Sequence, residues 1–324
     1  GLAVMNNQLL LADTNNHAVR AFSIDKGVAS TIAGVPGKAG YTDGTLKTAR
    51  FHYPHAVAVG SLSSQGAAAK TVIYVADTSN QRIRLIDTTA QTVTTFAGTH
   101  AGFVDGPVAT ARFNGPYGLA TAHPNAVYVA DYSNHRIRLI QGGQVVTLAG
   151  SSKGLADGKG ATALFNGPID VALDGNGDLF VAGHLSHTVR KVTAQGVVTT
   201  LAGNGTTGAL DGAAAKSLWY HPWGLVAVPG GVIVADRSNN NIRLLKGGVV
   251  TTLAGAGIGG SNNGAGVDAK FNAPTGIAVL PNGDLFVTDR NNHRLRRIWR
   301  NAGHCAIGGA CYVKGTPGQG GCSE

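Results

Sequence analysis

Short apolar runs separated by small and polar residues fill this chain almost from end to end. The runs are four to seven residues long, rich in β-branched side chains, and bounded by Gly, Asn, Asp or Pro. This composition and length are typical of strands. No stretch places apolar residues at helical spacing over three turns. The pattern therefore predicts an all-β protein without long helices.

The runs recur in a fixed order because one phrase is repeated six times. Each copy reads as an apolar pair, usually followed by Asp, then a polar turn and a closing arginine. Successive arginines are 64, 54, 52, 53 and 53 residues apart. A period of this size indicates one supersecondary unit that buries its apolar face on the next copy. The closing residues are Arg20, Arg84, Arg138, Arg190, Arg243 and Arg296.

A second phrase, of the type Thr-Leu-Ala-Gly, alternates with the first. It is followed by a glycine-rich loop, an Asp-Gly pair, and an aromatic residue three positions before a proline that opens another apolar run. One repeat thus contains four short strands, and six repeats predict a six-bladed β-propeller of four-stranded antiparallel blades. The long first interval contains Ser61–Lys70, which we expect to be a surface loop. The aromatic and proline pairs are Phe51/Pro54, Phe113/Pro116, Phe165/Pro168, Trp219/Pro222 and Phe271/Pro274.

The repeated phrases resemble the NHL repeat, a family named for its Asn, His and Leu or Ile positions. The resemblance covers about residues 1–300 and implies a six-bladed propeller. The His position holds Gln81 in the second copy and Asn240 in the fifth. In the remaining copies it holds histidine: His17, His135, His187 and His293. The family includes RNA-binding members, and a lyase branch of similar propellers, the peptide-amidating lyases, uses metal-bound histidines in the channel.

Two domains are predicted from these boundaries, a propeller at 1–300 and a tail at 301–324. The formal net charge of +9 is carried mainly by arginines of the third strands, which is compatible with an acidic partner but not diagnostic of one. No apolar run reaches the length needed to span a membrane. Gly1 aligns with the second residue after a repeat proline, so we expect the sequence to be a piece of a longer protein.

All three cysteines lie in the tail, as Cys305, Cys311 and Cys322. Their spacing matches no common zinc signature. We interpret them as the start of a disulfide-stapled segment, which favours an extracellular or cell-surface protein; the alternative is three incidental thiols in a disordered end. Asn204-Gly-Thr206 is a sequon at which an N-linked glycan is expected.

The aspartates of the Asp-Gly pairs recur once per repeat, which raises the question of calcium. The fifth copy is Asn263-Gly264, however, and an amide keeps a turn cap while losing the charge that a hard cation requires. A structural cap is therefore the preferred interpretation. The aspartates concerned are Asp43, Asp105, Asp157 and Asp211.

A second set of aspartates precedes the turn between the second and third strands. We expect these carboxylates to bind turn amides or a neighbouring arginine. Gly183 stands in the fourth copy, yet Arg190 remains, so packing of the arginine stem between blades is expected to be the constant feature. The set is Asp13, Asp77, Asp131, Asp236 and Asp289.

Residues that depart from the repeat are the best functional candidates, because the scaffold does not explain them. They surround the repeat prolines, where other copies carry small residues, and should gather at the channel mouth on one face. Aromatic rings with polar tips suit recognition of a peptide or a sugar; the alternative is local packing that plugs the channel. The candidate binding residues are His52, Tyr53, His55, Tyr117, Asp170, Trp219, Tyr220, His221 and Trp223.

Two further functions have specific residues behind them. His52, His55 and His221 are candidate zinc ligands for a lyase, although their positions show no clear ligand spacing. Arg290, Arg297 and Arg300 exceed the repeat pattern near Trp299, and arginine beside an aromatic ring suits RNA. No hydrolase, zinc-protease or phosphate-loop motif is present.

The preferred prediction is a non-catalytic scaffold that binds protein or glycan through one propeller face, without cofactor, metal, nucleic acid or membrane insertion. One structural question stays open in the sixth repeat, which lacks a Thr-Leu-Ala-Gly copy after its third strand. An unpaired strand would expose backbone donors and acceptors. The fourth strand must come from residues upstream of Gly1 or from Ala310-Cys-Tyr-Val-Lys314, unless the seam is open or closed by a partner.

Overall fold

A computed structural model arranges the chain as six sheets around a central channel. The structure describes residues 1–62, 69–122, 125–299 and, for the backbone alone, 312–315. All six sheets are antiparallel, and five of them carry an additional two-residue strand at the outer edge. The predicted all-β, six-bladed propeller is confirmed. The outer strand was not predicted; it begins at the glycine of each Asp-Gly pair or at Gly264.

The first three blades use the first fourteen strands. Blade one contains β1 (Leu2–Met5), β2 (Gln8–Asp13), β3 (Ala18–Ser23) and β4 (Val28–Ala33). Blade two contains β5 (Gly44–Thr45), β6 (Pro54–Leu62), β7 (Lys70–Asp77), β8 (Arg82–Asp87) and β9 (Thr92–Ala97). Blade three contains β10 (Gly106–Pro107), β11 (Pro116–Ala122), β12 (Ala126–Asp131), β13 (Arg136–Gln141) and β14 (Gln144–Ala149).

The last three blades repeat this order. Blade four contains β15 (Gly158–Lys159), β16 (Pro168–Leu173), β17 (Leu179–Gly183), β18 (Thr188–Val192) and β19 (Val197–Ala202). Blade five contains β20 (Gly212–Ala213), β21 (Pro222–Val228), β22 (Gly231–Asp236), β23 (Asn241–Lys246) and β24 (Val249–Ala254). Blade six contains β25 (Gly264–Ala265), β26 (Pro274–Val279), β27 (Leu285–Asp289), β28 (Arg294–Trp299) and β29 (Tyr312–Gly315).

Helical structure within the described ranges is limited to single 3-10 turns. Five of them join the second and third strands of a blade: Thr14–Asn16, Thr78–Asn80, Tyr132–Asn134, Arg237–Asn239 and Arg290–Asn292. Three follow the outer strand: Gly160–Thr162, Ala214–Lys216 and Gly266–Asp268.

The ring is closed by contact between innermost strands. These strands are β1, β6, β11, β16, β21 and β26; each contacts the next, and β26 contacts β1. Blade six takes its fourth strand from the tail, since Trp299 pairs with Tyr312 and Arg296 with Gly315. The second of the two predicted sources therefore supplies the strand. The cysteines with their predicted disulfide, and Arg300, lie outside the described residues.

The predicted Ser61–Lys70 loop is only partly a loop. Ser61 pairs with Thr71 and Leu62 with Lys70, so both ends of this segment lengthen the β6–β7 hairpin. The prediction was wrong at these ends because strand pairing, which a Ser- and Gly-rich composition does not reveal, satisfies their backbone groups. Residues 63–68 lie outside the described part of the chain.

Each closing arginine from blade two to blade six is the centre of a buried clamp. Its side chain is fully buried. In blade two, Arg84 donates to Asp77 at 2.8 Å and to Asp43 at 2.6 Å, and its guanidinium lies 5.3 Å from the centre of the Phe51 ring. Buried charge is tolerated only when it is paired and hydrogen-bonded in this way. The clamp therefore explains why the arginine, both acids and the aromatic residue recur together.

The clamp corrects the predicted role of the Asp-Gly carboxylates. Asp43 accepts from Arg84 and, through its other oxygen, from the backbone N–H of Thr95 at 3.0 Å, so it ties a loop to a strand rather than capping a turn. In blade four, where Gly183 replaces the second acid, Arg190 keeps Asp157 at 2.7 Å. In blade six Asn263 accepts from Arg296 at 2.9 Å. The structural role predicted for the Asp-Gly carboxylates is therefore confirmed, although they bind an arginine instead of capping a turn.

The His position of the repeat joins one blade to the next. Its residue adopts a left-handed conformation with φ between 52° and 59° in the five 3-10 turns that end on it. In the first five copies its side chain accepts a hydrogen bond from the N–H of the residue before the next proline. The His221 N–H donates to His187 at 3.2 Å, and the Gly115 N–H donates to Gln81 at 2.7 Å. Histidine, glutamine and asparagine are interchangeable here because each offers an acceptor.

Candidate binding site at the channel mouth

Two segments of each blade from two to six meet at one end of the propeller, which we call the mouth face. They are the turn between the second and third strands and the segment before the proline. Backbone hydrogen bonds join them, as from Ser238 N–H to the Tyr220 carbonyl at 3.0 Å. The same bond joins the Ser79 N–H to the His52 carbonyl, and the Ser133 N–H to the Asn114 carbonyl. Side chains from both segments therefore border the channel together.

The residues that follow the repeat proline and the repeat aspartate position form what we call the mouth ring. After the proline stand His55, Tyr117, Ile169, Trp223 and Thr275. After the aspartate position stand Thr14, Thr78, Tyr132, His184, Arg237 and Arg290. At the position after the aspartate, blades one and two contribute threonine, whereas blades three to six contribute larger side chains. The ring is therefore chemically asymmetric although the scaffold is repeated.

A continuous group of rings covers blades two to five of the mouth ring. His55 and Tyr117 have ring centres 4.4 Å apart, and Tyr117 and Tyr132 are 5.1 Å apart. His184 and Trp223 meet edge-on at 4.9 Å, and Tyr117 and Trp223 at 6.1 Å. Edge-on and tilted contacts at these distances are favourable for aromatic pairs. Residues far apart in sequence thus form one surface.

Both histidines of this group are held neutral. Burial lowers the pKa of His55 to about 3, and burial lowers the pKa of His184 to about 4. Nearby positive charge acts in the same direction, from Arg290 on His55 and from Arg237 on His184. Desolvation disfavours the charged imidazolium, so at pH 7 these rings provide polar atoms without charge.

Two arginines face this neutral group. The Arg237 guanidinium lies 4.9 Å from the Trp223 ring centre, and its Nε is buried without a hydrogen-bond partner among the described residues. Arg290 is exposed. Burial, followed by the positive charge of Arg290, lowers the pKa of Arg237. The two guanidinium groups are therefore close enough to repel each other electrostatically.

Asp170 lies beneath the ring, in the channel wall. Its carboxylate accepts a hydrogen bond from the Leu225 N–H at 3.0 Å and stands where the equivalent position of blade three is Gly118. A side chain added to Gly118 would meet the Asp170 carboxylate and backbone at 2.4 Å, so the small residue in one blade makes room for the large one in the next. Burial raises the pKa of Asp170 to about 7.

Backbone strain is concentrated beside the same site. The residue before the proline has positive φ in blades two to six, which glycine adopts freely at Gly115 and Gly167 but other residues adopt at a cost. Tyr53 and His221 occupy this position with φ of 49° and 53°. Strain of this kind persists where the surroundings enforce it and is enriched at functional sites.

The structure brings some predicted site residues together and separates others. His55, Tyr117 and Trp223 join in the ring group, His221 contacts it through His184 at 4.6 Å, and Asp170 lies below. His52 and Tyr53 instead form a separate group with His17, whose ring centre is 4.7 Å from that of Tyr53. Tyr220 lies beside His187 and His221 and is 39% exposed.

Trp219 does not lie on the surface, and its assignment as a binding residue is corrected. It is fully buried, its ring centre lies 4.3 Å from the Arg243 guanidinium, and its indole N–H donates to Ser217. It occupies the clamp position that phenylalanine fills in the other blades. The repeat already predicted an aromatic core residue there, so its departure from phenylalanine was a difference in size rather than in role.

Among the ring members that sequence reasoning missed, Tyr132, His184 and Arg237 carry aromatic, imidazole or cationic side chains. They lie inside the repeated phrase, whose aspartate and arginine are its recurring chemical features. The available signal was the residue directly after the aspartate position, which changes from threonine in blades one and two to Tyr, His, Arg and Arg. A variable position inside a constant phrase indicates a side chain that the scaffold does not require.

The two alternative sites are not assembled as the sequence proposed. The described residues contain no group of three His, Cys, Asp or Glu side chains arranged to hold a metal ion, and His52 and His221 contact different groups. Of the extra arginines, Arg297 is paired with Asp284 at 2.5 Å, while Arg290 stands at the mouth. Nor does any helix in the described ranges have the length and apolar character to cross a membrane.

Comparison with protein families identifies the repeat. The model described as "NHL repeat" matches residues 271–298, which include the sixth copy of the phrase and its aromatic clamp residue. One segment of the chain therefore matches an NHL repeat, and it lies within a six-bladed propeller. The sequence resemblance is therefore confirmed, and the clamp described above recurs in blades two to six of this propeller.

Relatives of the propeller are longer proteins. It is 29% identical to "Protein SUPPRESSOR OF QUENCHING 1, chloroplastic" of Arabidopsis thaliana, over 92% of this chain and 30% of that protein. It is 28% identical to "NHL repeat-containing protein 2" of Bos taurus, over 90% of this chain and 45% of that protein. The chain thus spans less than half the length of these curated relatives.

Solved structures of low identity share the fold. An auxiliary nutrient binding protein from Bacteroides thetaiotaomicron superposes with a TM-score of 0.66 at 18% identity, covering 91% of this chain and 67% of that one. A nidogen/laminin complex gives 0.60 at 15%, covering 90% and 88%. A catalytically inactive virginiamycin B lyase from Staphylococcus aureus, with quinupristin, gives 0.56 at 12%, covering 98% and 83%. These likenesses concern the fold alone.

Proposed function

We propose that the propeller is a non-catalytic module that binds a partner protein on its mouth face. The observation that carries this proposal is the distribution of exposed apolar side chains. Large apolar residues are exposed on the mouth face, in the turns beside the ring and in the loops that surround it. They are Tyr41, Tyr53, Phe103, Leu155, Leu185, Leu210, Tyr220 and Ile258, each 38% exposed or more.

The loops that carry these residues are fixed to the mouth face by asparagines of the repeat. Asn80 donates to the Gly40 carbonyl at 2.8 Å, and Asn134 donates to the Gly102 carbonyl at 2.8 Å. Each asparagine also binds the repeat aspartate of its own blade. The apolar side chains are thus held by an ordered frame, and exposed apolar patches with polar rims are typical of protein interfaces.

The chemistry of the mouth supports binding rather than catalysis. Its histidines are neutral and packed against rings, and Asp170 is hydrogen-bonded in the channel wall. A general base works best when its pKa lies near the working pH, and the pKa values of His55 and His184, about 3 and about 4, lie well below neutrality. We extend the proposal to an extracellular or cell-surface location, supported by exposed Asn204 in the sequon loop. A mass loss on enzymatic deglycosylation of the native protein tests that location.

The binding proposal is tested by quantitative affinity capture with matched variants. The mouth variant carries Tyr53→Ser, Leu185→Ser and Tyr220→Ser, all on exposed side chains. The control carries Val28→Ser, Val146→Ser and Val249→Ser, at the other end of the blades, with exposures of 60%, 46% and 46%. A protein retained by the wild type and the control, and reduced at least about tenfold by the mouth variant, is the expected result.

Two results of the capture experiment would contradict the proposal. Either both variants retain the protein as well as the wild type does, or only the control loses it. In both cases the interface lies away from the mouth. Thermal unfolding of all three proteins must coincide, because none of the substituted side chains is buried. A further outcome also contradicts the proposal: no protein is captured, and glycans are retained equally by the wild type and the control but not by the mouth variant. The partner would then be a glycan instead of a protein.

A further inference from the structure

Positive charge at the mouth has no acidic counterpart among the described residues. Arg237 and Arg290 take part in no ion pair in the ranges 1–62, 69–122 and 125–299. Asp236 and Asp289 are their sequence neighbours, but each is fully buried and committed to a clamp, at 2.9 Å from Arg243 and 2.8 Å from Arg296. The carboxylates nearest in sequence therefore face into the blades.

The third nearby acid does not supply the missing charge either. Asp170 lies below the ring and already accepts from the Leu225 N–H. Burial raises the pKa of this carboxyl and so disfavours its charged form. Arg237 is half-buried, burial and then the charge of Arg290 lower its pKa, and its buried Nε has no hydrogen-bond partner among the described residues, so its charge is only partly solvated. A bound anion would stabilise that charge.

The surroundings prepare these arginines for a planar anion. Arg237 is laid over the Trp223 ring at 4.9 Å, which orients the guanidinium plane, and Arg290 stands on the next blade. Arginine binds carboxylate through two parallel N–H donors, and this geometry is more specific than that of a lysine. The neighbouring rings of His55, Tyr117 and His184 are uncharged walls. They exclude water without competing for the anion.

The rings do not offer the flat surfaces that a sugar or a nucleic-acid base needs. Trp223 is covered by Arg237 and contacted edge-on by His184, while Tyr117 lies between His55 and Tyr132. Stacking of sugars or bases requires an open ring face. The cations also form one pair rather than a track. The observations therefore favour a single carboxylate of a protein over a glycan or RNA.

We propose that Arg237 and Arg290 together receive one carboxylate from the partner, an Asp or Glu side chain or a C-terminus, at the centre of the mouth. This inference rests on the proposed function, because the carboxylate belongs to the protein bound by the surrounding apolar rim. The rim supplies contact area, and the arginine pair supplies register and specificity. The arrangement resembles an interface with a charged anchor inside an apolar border.

The experiment uses a capped peptide probe and the whole chain. Binding of acetyl-Gly-Glu-Gly-amide and of its Gln counterpart is measured by saturation-transfer NMR and titration. We expect the Glu peptide alone to bind. Arg290→Gln and Arg237→Gln should each weaken it by about tenfold or more, and Arg237→Lys should weaken it less. Arg136→Gln is the matched control, an arginine over Phe103 at 3.9 Å on the same face, and should leave binding unchanged.

The outcomes separate this inference from the function on which it rests. Equal binding of both peptides, or loss with Arg136→Gln as well, overturns the carboxylate site. Binding of a sulfated disaccharide but not of the Glu peptide overturns the choice of a protein carboxylate. If captured partner is lost by the mouth variant but retained by the Arg237→Gln, Arg290→Gln double variant, the proposed function stands and the inference falls. If the peptide results hold but the mouth variant retains the partner, the proposed function falls.

Discussion

The buried clamps and the mouth use the same side chain in opposite ways. A clamp arginine such as Arg243 is fully buried, pairs with Asp211 and Asp236, and donates to the carbonyls of Leu210 and Leu218. The mouth arginines, Arg237 and Arg290, form no ion pair with a carboxylate of the described residues. The clamp satisfies its charge inside one chain, whereas the mouth leaves charge to be satisfied from outside. The arginine that recurs in every repeat is structural in blades two to six, whereas Arg237 and Arg290 are available for the recognition proposed above.

The largest expected effect follows from breaking a clamp. Arg243→Met leaves Asp236 buried and without its cation, so we expect the free energy of unfolding to fall by about 3–5 kcal/mol. Arg190→Met is the matched control, because Gly183 leaves no buried carboxylate in blade four and Asp157 is half-exposed. A loss of about 1.5–3 kcal/mol is expected there. Urea unfolding measures both.

The mouth arginines complete this comparison. Arg290→Gln should change the free energy of unfolding by no more than about 0.5 kcal/mol, since the side chain is exposed and outside any clamp. A destabilisation by Arg290→Gln as large as that of Arg243→Met would show that both arginines are structural, and the distinction between clamp and mouth would be lost.

A smaller effect concerns the neutral histidines of the mouth. The folded pKa of His184 is about 4, below its usual 6.5, because of burial. Its neutral form is present in both states above pH 6.5, and the unfolded state binds the additional proton as pH falls from 6.5 towards 4. Stability is therefore lost over that window, by up to about 1.4 kcal/mol per pH unit.

His184→Gln removes this titration and keeps a hydrogen-bond donor. The stability of wild type relative to this variant should fall between pH 7 and pH 5 in urea unfolding. Asp170, whose raised pKa acts in the opposite direction, is present in both proteins and cancels in the difference. A difference that is constant with pH would mean that His184 is as readily protonated in the fold as in the unfolded chain.

The smallest effect concerns the strained position before the proline. Ala273 has φ of 53° where blades three and four use glycine. Ala273→Gly removes the clash of a left-handed Cβ, but adds freedom to the unfolded chain, so we expect between zero and about 1 kcal/mol of stabilisation. Ala269→Gly is the control, with φ of −66° in an equally buried place; it should destabilise. Equal effects of both changes would show that no strain is stored before the proline.

Much of the fold was predictable, because a repeated sequence reports each contact several times. Six copies of one phrase predicted six blades, and the alternation of apolar runs predicted their strands. The clamp was not predicted, although all its members were noticed. Asp43 and Arg84 are 41 residues apart, and no local pattern states which recurring acid meets which recurring base.

The site was predictable only in part for the same reason. Departures around the proline located His55, Tyr117, Asp170, His221 and Trp223, but also drew in Trp219, which is core. Tyr132, His184 and Arg237 were missed because they lie inside the repeated phrase. Their importance depends on neighbours from other blades, as when His184 of blade four meets Trp223 of blade five.

The sequence by itself determined the number of blades, the strands of each blade and the positions that the repeat leaves free to vary. These properties depend on local periodicity, since side-chain alternation and turn residues act over a few positions. Only the tertiary structure decided which variable positions meet at the mouth, which arginines are neutralised and which are not. Closing the ring brings residues from different blades together. Whether an arginine is paired with a carboxylate therefore depends on neighbours that are distant in sequence.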